Sequence, residues 1–444
     1  MSAIPDRSMA NAFLPGRGHL SPENEALVAR RARVLGPAYR LMYETPLHLV
    51  RGEGVWLYDE TGRAFLDAYN NVASLGHCHP RVVEAIRAQA GVLATNTRYL
   101  HTTILDCAER LVARFPAPLS QVMFACTGSE ANDLALRIAK AHTGGTGVVV
   151  TEHAYHGITE AVAAFSPSLG AAVPLGPHVR TVPAPDRTRA APGEVGAAFR
   201  ADVEAAIADL RRHGIAPAAL VVDTMFTSDG ILPGPAGFLR GAAEAIRAAG
   251  GLFVADEVQP GFGRTGEAMW GFQRHGVVPD MVTLGKPMGN GQPISAVVMR
   301  PDVVERFGRE ARYFNTFGGN AVSCAAALAV LEAIEAEALQ ANALRTGRHL
   351  LERVAAVCAP HEAVGEVRGA GLFVAVEFVA DRADGAPDAA RAARVVNAMR
   401  ERGVLISISG RHHNSLKIRP PLVFSRADAE LLAGVLAEAL QATA

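Results

Sequence analysis

The chain has 444 residues, 49% of them hydrophobic, with a formal net charge of −1 and a pI near 7. That length gives a large core and room for two domains, and the near-neutral balance excludes a sequence-independent grip on nucleic acid or an anionic membrane. Five scattered cysteines (Cys78, Cys107, Cys126, Cys324 and Cys358) without a CxxC pair argue against a disulfide framework or a structural zinc.

Met1 to Gly18 is polar and holds Pro and Gly but no apolar core of signal-peptide length. No apolar run approaches a membrane span, so a cytoplasmic chain is expected. Residues 1 to about 50 read as helical, with Pro22-Glu-Asn-Glu25 opening a helix. Val55–Tyr58 and Ala64–Asp67 flank a turn at Asp59–Gly62, which predicts a hairpin. From about residue 80, helical patterns cover Arg81–Val92, Ile104–Arg114, Glu130–His142, Arg200–His213 and Phe238–Ala249. Between them, strands are predicted at Gln121–Cys126, Gly147–Thr151, Ala219–Thr224, Leu252–Ala255, Met281–Leu284 and Ile294–Met299. This alternation predicts an α/β large domain whose mostly parallel central sheet is covered by helices. Pro183–Pro192 reads as a surface loop. After Asn320 come an Ala-rich helix (Ala321–Ala338), another helix, Leu372–Phe378, a helix near Ala389–Arg402, a strand at Val404–Ser409 and a helix from Ser425. That is a smaller α+β unit. The predicted division is 1–65 as a segment contributing to the small domain, 66–320 as the large domain and 321–444 as the C-terminal small domain.

In parallel sheets, ligands gather beyond the carboxyl ends of the strands. Thr127–Glu130, Glu152–Gly157, Asp256–Gln259 and Gly285-Lys286 each follow an apolar run. Only three of the 43 basic residues are lysines: Lys140, Lys286 and Lys417. Arg stays protonated, whereas Lys can act as a nucleophilic amine, so lysine scarcity points to a role for Lys286. Asp256 ends the apolar run Leu252–Ala255, and a buried carboxylate needs a partner. A lysine that condenses with an aldehyde and a carboxylate that pairs with a pyridinium nitrogen are the parts a pyridoxal phosphate site needs. The blander alternative, a core salt bridge to Arg, suits Glu257 better than Asp256.

Thr127-Gly128-Ser129 heads a helix and reads either as a phosphate cradle or as a plain N-cap. Tyr155 beside His156-Gly157 offers a ring for stacking, or is simply packed. Asn315–Asn320 is either another phosphate-binding loop or a helix start. Gly261-Phe-Gly263-Arg-Thr-Gly266 matches G-x-G-x-x-G, but five residues with two acids separate it from the preceding strand, so it reads as a loop. His77-Cys78-His79 lacks a second ligand cluster and no metal is assigned. Lys140 complements the end of its helix.

Together, Thr127–Asn132, Asp256–Gly266 and Leu284-Gly-Lys286 resemble the class III (ornithine and ω-) aminotransferases, pyridoxal phosphate enzymes of fold type I. The matched pieces run from about residue 45 to about residue 435. The resemblance implies that Lys286 forms the Schiff base with the cofactor and shuttles protons, while Asp256 keeps the pyridine nitrogen protonated. It further implies that Gln259 reaches the phenolic oxygen, Gly128 and Ser129 bind phosphate, and Tyr155 stacks on the ring. Thr316 would reach the cofactor phosphate of a neighbouring subunit, which implies a homodimer.

Two linked positions depart from the common pattern. Many members carry Arg three residues before a Pro-Pro pair, and here that position is Lys417, before Pro420-Pro421. The Glu that usually faces that Arg aligns with Ser228. Arg98, Lys417 and Arg419 are expected to form a basic wall for the anionic end of a substrate. Tyr69–Pro80, Asn96–His101, Lys286–Gly291, Tyr313–Gly319 and Asn414–Pro421 are similar to the ethanolamine-phosphate and phosphohydroxylysine phospho-lyase branch. As the default of the broad class, the expected activity is amino-group transfer from an amino acid or ω-amine to a keto acid. The alternative is elimination of phosphate and ammonia from a phosphorylated amino alcohol or phosphohydroxylysine. A nicotinamide dehydrogenase built on Gly261–Gly266, and a cofactor-binding regulatory protein without turnover, are the remaining classes. The strand spacing argues against the first and the full set of catalytic positions against the second.

Overall fold

The computed structural model describes residues 9, 11–16, 18–186, 191, 193–383 and 385–443, so the expectations for Met1–Gly18 and Pro183–Pro192 fall partly outside the described residues. The first helix is only Pro22–Leu35, capped by the Ser21 hydroxyl, which accepts from Asn24 N at 3.2 Å. It buries no residue, so nothing sustains the longer helical stretch expected from the sequence.

Strand β1 (Leu49–Glu53) pairs with β2 (Trp56–Asp59), and β2 with β3 (Ala64–Asp67), as the hairpin pattern requires. The Asp59 carboxylate fixes the turn by accepting from Thr61 N and Arg63 N, both at 3.0 Å.

β4 (Gln121–Ala125), β5 (Gly147–Thr151), β6 (Val179–Val182), β7 (Pro217–Asp223), β8 (Leu252–Asp256), β9 (Met281–Leu284) and β10 (Ser295–Met299) form the central sheet. Its order is β4-β10-β9-β8-β7-β5-β6, and β10 alone runs against the others. The six expected strands are all present; β6, a short edge strand, was not foreseen. Every residue of β5, β8, β9 and β10 is buried. Alternation divides their side chains between the two faces of the sheet, as β5 illustrates. Val148 and Val150 pack with the helix Gly128–Thr143 on one face, and Val149 packs with Val195–Arg212 and Arg240–Ala248 on the other.

The last sheet, in the order β11-β12-β15-β14, comprises β11 (Val364–Ala370), β12 (Phe373–Phe378), β14 (Ser407–Ser409) and β15 (Ser415–Ile418). The single strand expected at Val404–Ser409 is in fact two. β13 (Val404–Leu405) runs parallel to β3, and after the buried Ile406 the chain switches sheets into β14. Tyr43 Oη donates to the Ile406 carbonyl at 2.9 Å, tying the N-terminal segment to this switch. The domain boundary drawn at 65/66 falls inside β3, whose residues belong to one sheet with β1, β2 and β13.

The Ala-rich helix stops at Ala336, and Ala338 (φ +49°) turns the chain into the helix Leu339–Cys358. The Gly261–Gly266 segment is buried and opens no regular α-helix. A Cβ on Gly266 (φ +73°) would stand 2.4 Å from the backbone nitrogen of Leu344 in that helix.

Candidate active site

The carboxyl ends of β4, β5, β7, β8 and β9 converge on a cavity of about 300 Å³ lined by Gly128, Ser129, Tyr155, Asp223, Asp256 and Lys286, among others. Lys286 follows β9 by two residues and takes φ +31°, a positive value uncommon for a side-chain-bearing residue. Burial, then the charge of Arg419, lowers its amine to about 8, against the opposing pull of Asp256 and Asp223. A lysine in that range deprotonates readily enough to serve as a nucleophile or a base.

Asp256 is held from three sides. His156 Nδ1 lies 2.7 Å from Oδ2, Asn132 Nδ2 donates to the same oxygen at 3.0 Å, and Val258 N donates to Oδ1 at 3.1 Å. Asn132 also donates to the His156 carbonyl at 2.8 Å, so helix, turn and strand lock one another. Neither His156 nor Asn132 had been given a role from sequence; the signal available was only their place in the Thr127–Asn132 and Tyr155–Gly157 motifs. Asp223 adjoins Asp256 across the β7–β8 ladder, and burial raises its carboxyl above the usual range.

Thr127 caps the helix through its hydroxyl, which accepts from Glu130 N at 3.2 Å. The N–H groups of Gly128 and Ser129 meet no acceptor among the described residues and face the cavity end of the helix. The Ser129 hydroxyl accepts from Ile158 N at 3.1 Å. Gly157 (φ +140°) presses so close that a Cβ there would stand 2.4 Å from Ser129 Oγ. Thr127 is therefore an N-cap, and the two amide N–H groups that follow it lie at the cavity. A buried amine, a fixed carboxylate and those N–H groups around one cavity fit pyridoxal phosphate.

A second cavity, of about 380 Å³, also reaches Lys286, Tyr155 and Gln259. Lys417, Arg419, Ser228, His153 and His413 line it, and among the described residues no Asp or Glu does. Lys417 is buried on β15, and its ammonium makes no hydrogen bond or ion pair among the described residues. Burial, then Arg419, pushes its pKa well below the lysine value; Asp223 opposes this and Lys286 adds to it. Arg419 is committed in part: its Nε donates to the Tyr69 carbonyl at 3.1 Å and its Nη1 to Gln259 Oε1. Gln259 is thus placed at the junction of the two cavities by Arg419, and by Asn71 Nδ2, which donates to its backbone carbonyl at 3.1 Å.

Arg98 does not join this wall. It is exposed, lies over the Phe314 ring at 3.8 Å and lines neither cavity. Thr316 is likewise exposed and outside both cavities. Among the described residues, Glu257 has no Arg partner. It is buried and accepts from Thr224 Oγ1, Gly271 N and Phe272 N, each at 2.7 Å. His77 engages Asp67 at 2.7 Å. Among the described residues, no cluster of His, Cys, Asp and Glu is placed to hold a metal.

Comparison with known proteins gives a consistent picture. The family model for class III aminotransferases matches residues 40–440. A Drosophila melanogaster protein named alanine–glyoxylate aminotransferase 2-like is 41% identical, over 90% of this chain and 84% of its own length. The Caenorhabditis elegans ethanolamine-phosphate phospho-lyase homolog 1 is 37% identical, over 90% of each chain. A solved Arthrobacter phospholyase in complex with phosphoethanolamine shares 44% identity with a TM-score of 0.90, covering 94% of this chain and 99% of that one.

Proposed function

This chain belongs to the class III aminotransferases, which are pyridoxal phosphate-dependent enzymes, and we propose that it eliminates phosphate and ammonia from a phosphorylated amino alcohol. One observation carries the reading: the second cavity, which opens onto Lys286 beside the first, is lined by Lys417 and Arg419 and, among the described residues, by no carboxylate. Buried cations left uncompensated are costly, and an anionic ligand is the natural partner. With Ser228 where an acid would neutralise the clamp, the cavity favours the higher charge of a phosphate.

Gly128 and Ser129 would hold the cofactor phosphate, Asp256 would pair with the ring nitrogen, and Tyr155 would stack on the ring. Bound pyridoxal phosphate supplies an electron sink for the carbon bearing the amine. Lys286 Nζ takes the proton from that carbon and, once phosphate has left, returns it to the neighbouring carbon that carried the phosphate. Lys417 and Arg419 hold the substrate phosphate while its C–O bond breaks and phosphate leaves with the electron pair. Water then replaces the nitrogen, giving ammonia and an aldehyde without any oxidant.

Transamination is the second reading, favoured by the relative named as an alanine–glyoxylate aminotransferase. It uses the same lysine and aspartate, with a keto acid accepting the amino group. Phosphate release from phosphoethanolamine without added keto acid separates the two.

The active unit in this reading is a cytoplasmic homodimer with Thr316 at the partner's cofactor phosphate. Support for the dimer comes from the large apolar side chains left exposed at Val92 (79% exposed), Leu100 (99%) and Phe317 (69%). Among the described residues, no helix is long and apolar enough to cross a membrane. Sedimentation and cell fractionation test these two points.

A further inference from the structure

We infer that His153 is a recognition residue for the substrate phosphate, which sits between its imidazole and the Lys417 ammonium; this rests on the phospho-lyase reading above. His153 follows the end of β5 by two residues and lines the same cavity as Lys286, Lys417 and Arg419. Its ring stands edge-on to His413, with centroids 6.1 Å apart and planes at 77°. Neither ring nitrogen of His153 has a hydrogen-bond partner among the described residues, and neither is sealed from the cavity. Lys417 Nζ is in the same condition. Two unpartnered donors, on different elements, therefore open into one space.

The charges around His153 make that space attractive to an anion. Arg411, His412 and His413 approach from the loop before β15, and Lys417 from β15 itself. The acids on this side are already engaged. Glu152 pairs with Arg411 at 2.6 Å, and Asp229 accepts from Thr151 Oγ1 at 2.9 Å and from the His153 backbone N–H. Burial and these cations hold the imidazole at about 4, so at neutral pH it is an uncharged ring with one N–H to give. A carboxylate has two oxygens, which Lys417 and Arg419 can satisfy. A phosphate monoester has three terminal oxygens, and His153 supplies a donor for the third without adding charge to a cavity already rich in it. A site that provides a donor the competing ligand cannot use discriminates against that ligand.

The test uses the full-length holoenzyme, whose cofactor fills the Gly128–Ser129 cradle. Inorganic phosphate is titrated as an inhibitor, and phosphoethanolamine turnover is followed, for wild type, His153→Ala, His153→Leu and His153→Gln. The two variants without a donor should weaken the phosphate inhibition constant and raise KM by about tenfold or more, with kcat nearly unchanged, and His153→Gln should recover most of the loss. Unchanged phosphate affinity in either folded donorless variant, while wild type releases phosphate, overturns the role of His153 and leaves the phospho-lyase reading standing. A wild-type enzyme that neither binds nor releases phosphate overturns both.

Discussion

The fully buried imidazole of His156 meets the carboxylate of Asp256 at 2.7 Å. Asn132 donates to the same oxygen at 3.0 Å, so a helix residue and a turn residue together aim the strand-end carboxylate at the cavity. The charge at the base of the cofactor cavity is thus positioned by two residues that need not touch a ligand.

His156→Phe and Asn132→Ala each remove one of these bonds to a charged group, worth about 1.5–3 kcal/mol in general. Turnover should fall by roughly 10- to 150-fold, by the same arithmetic, with the fold retained. Asp256→Asn should cost more than either. Steady-state kinetics beside far-ultraviolet circular dichroism checks the ranking; equal activity of His156→Phe and wild type would contradict it.

Lys286→Ala should lose borohydride-fixable cofactor and lower turnover by at least ~10²-fold, the scale of lost acid–base catalysis. With its amine lowered to about 8, Lys286 is mostly neutral only above that pH. The rate at which cofactor attaches to the cofactor-free chain should therefore rise with pH and level off above about 8, rather than near the ordinary lysine value. Stopped-flow absorbance reads that rate.

Much of this site is legible in the residues themselves. Lysine scarcity singles out Lys286 and Lys417, and the apolar run before Asp256 marks a strand end, because both signals are local. Pairings across long sequence separations are not. His156 meets Asp256 100 residues away, and Arg419 meets Gln259 160 residues away, by sheet order alone. The same holds for the fold. Central strands buried on both faces read as continuous apolar runs, whereas the split of Val404–Ser409 depends on β3, more than 300 residues earlier. Arg98 was grouped with Lys417 and Arg419 by charge, but its loop carries it over Phe314.

Lys417 binds an anion only while protonated, and its folded pKa lies well below the lysine value. Affinity for phosphoethanolamine should thus be full at low pH and fall as pH rises through that lowered pKa. Lys417→Arg stays charged and should flatten the profile on both sides of neutrality. KM measured as a function of pH checks it, and a flat wild-type profile would contradict it.

Gly266→Ala forces a Cβ to within 2.4 Å of the Leu344 backbone nitrogen at φ +73°. Backbone cannot yield as a side-chain tip can, so a loss of about 2–4 kcal/mol is expected. Denaturant unfolding reads this, and the damage should be to stability rather than to substrate choice.

Leu100→Asp places a charge in the exposed apolar surface, where Leu100 is 99% accessible. In a lone chain such a change costs almost nothing. In a dimer it should shift the sedimentation toward monomer and, with Thr316 then withdrawn from the partner's site, weaken cofactor retention.

The most direct measurement is to mix purified holoenzyme with phosphoethanolamine, without any keto acid, and quantify phosphate and ammonia over many turnovers. Phosphate and ammonia released in equal amounts, with the cofactor absorbance preserved, is the predicted result. Absence of phosphate, with amino-group transfer appearing only when a keto acid is added, would contradict the phospho-lyase assignment and leave transamination.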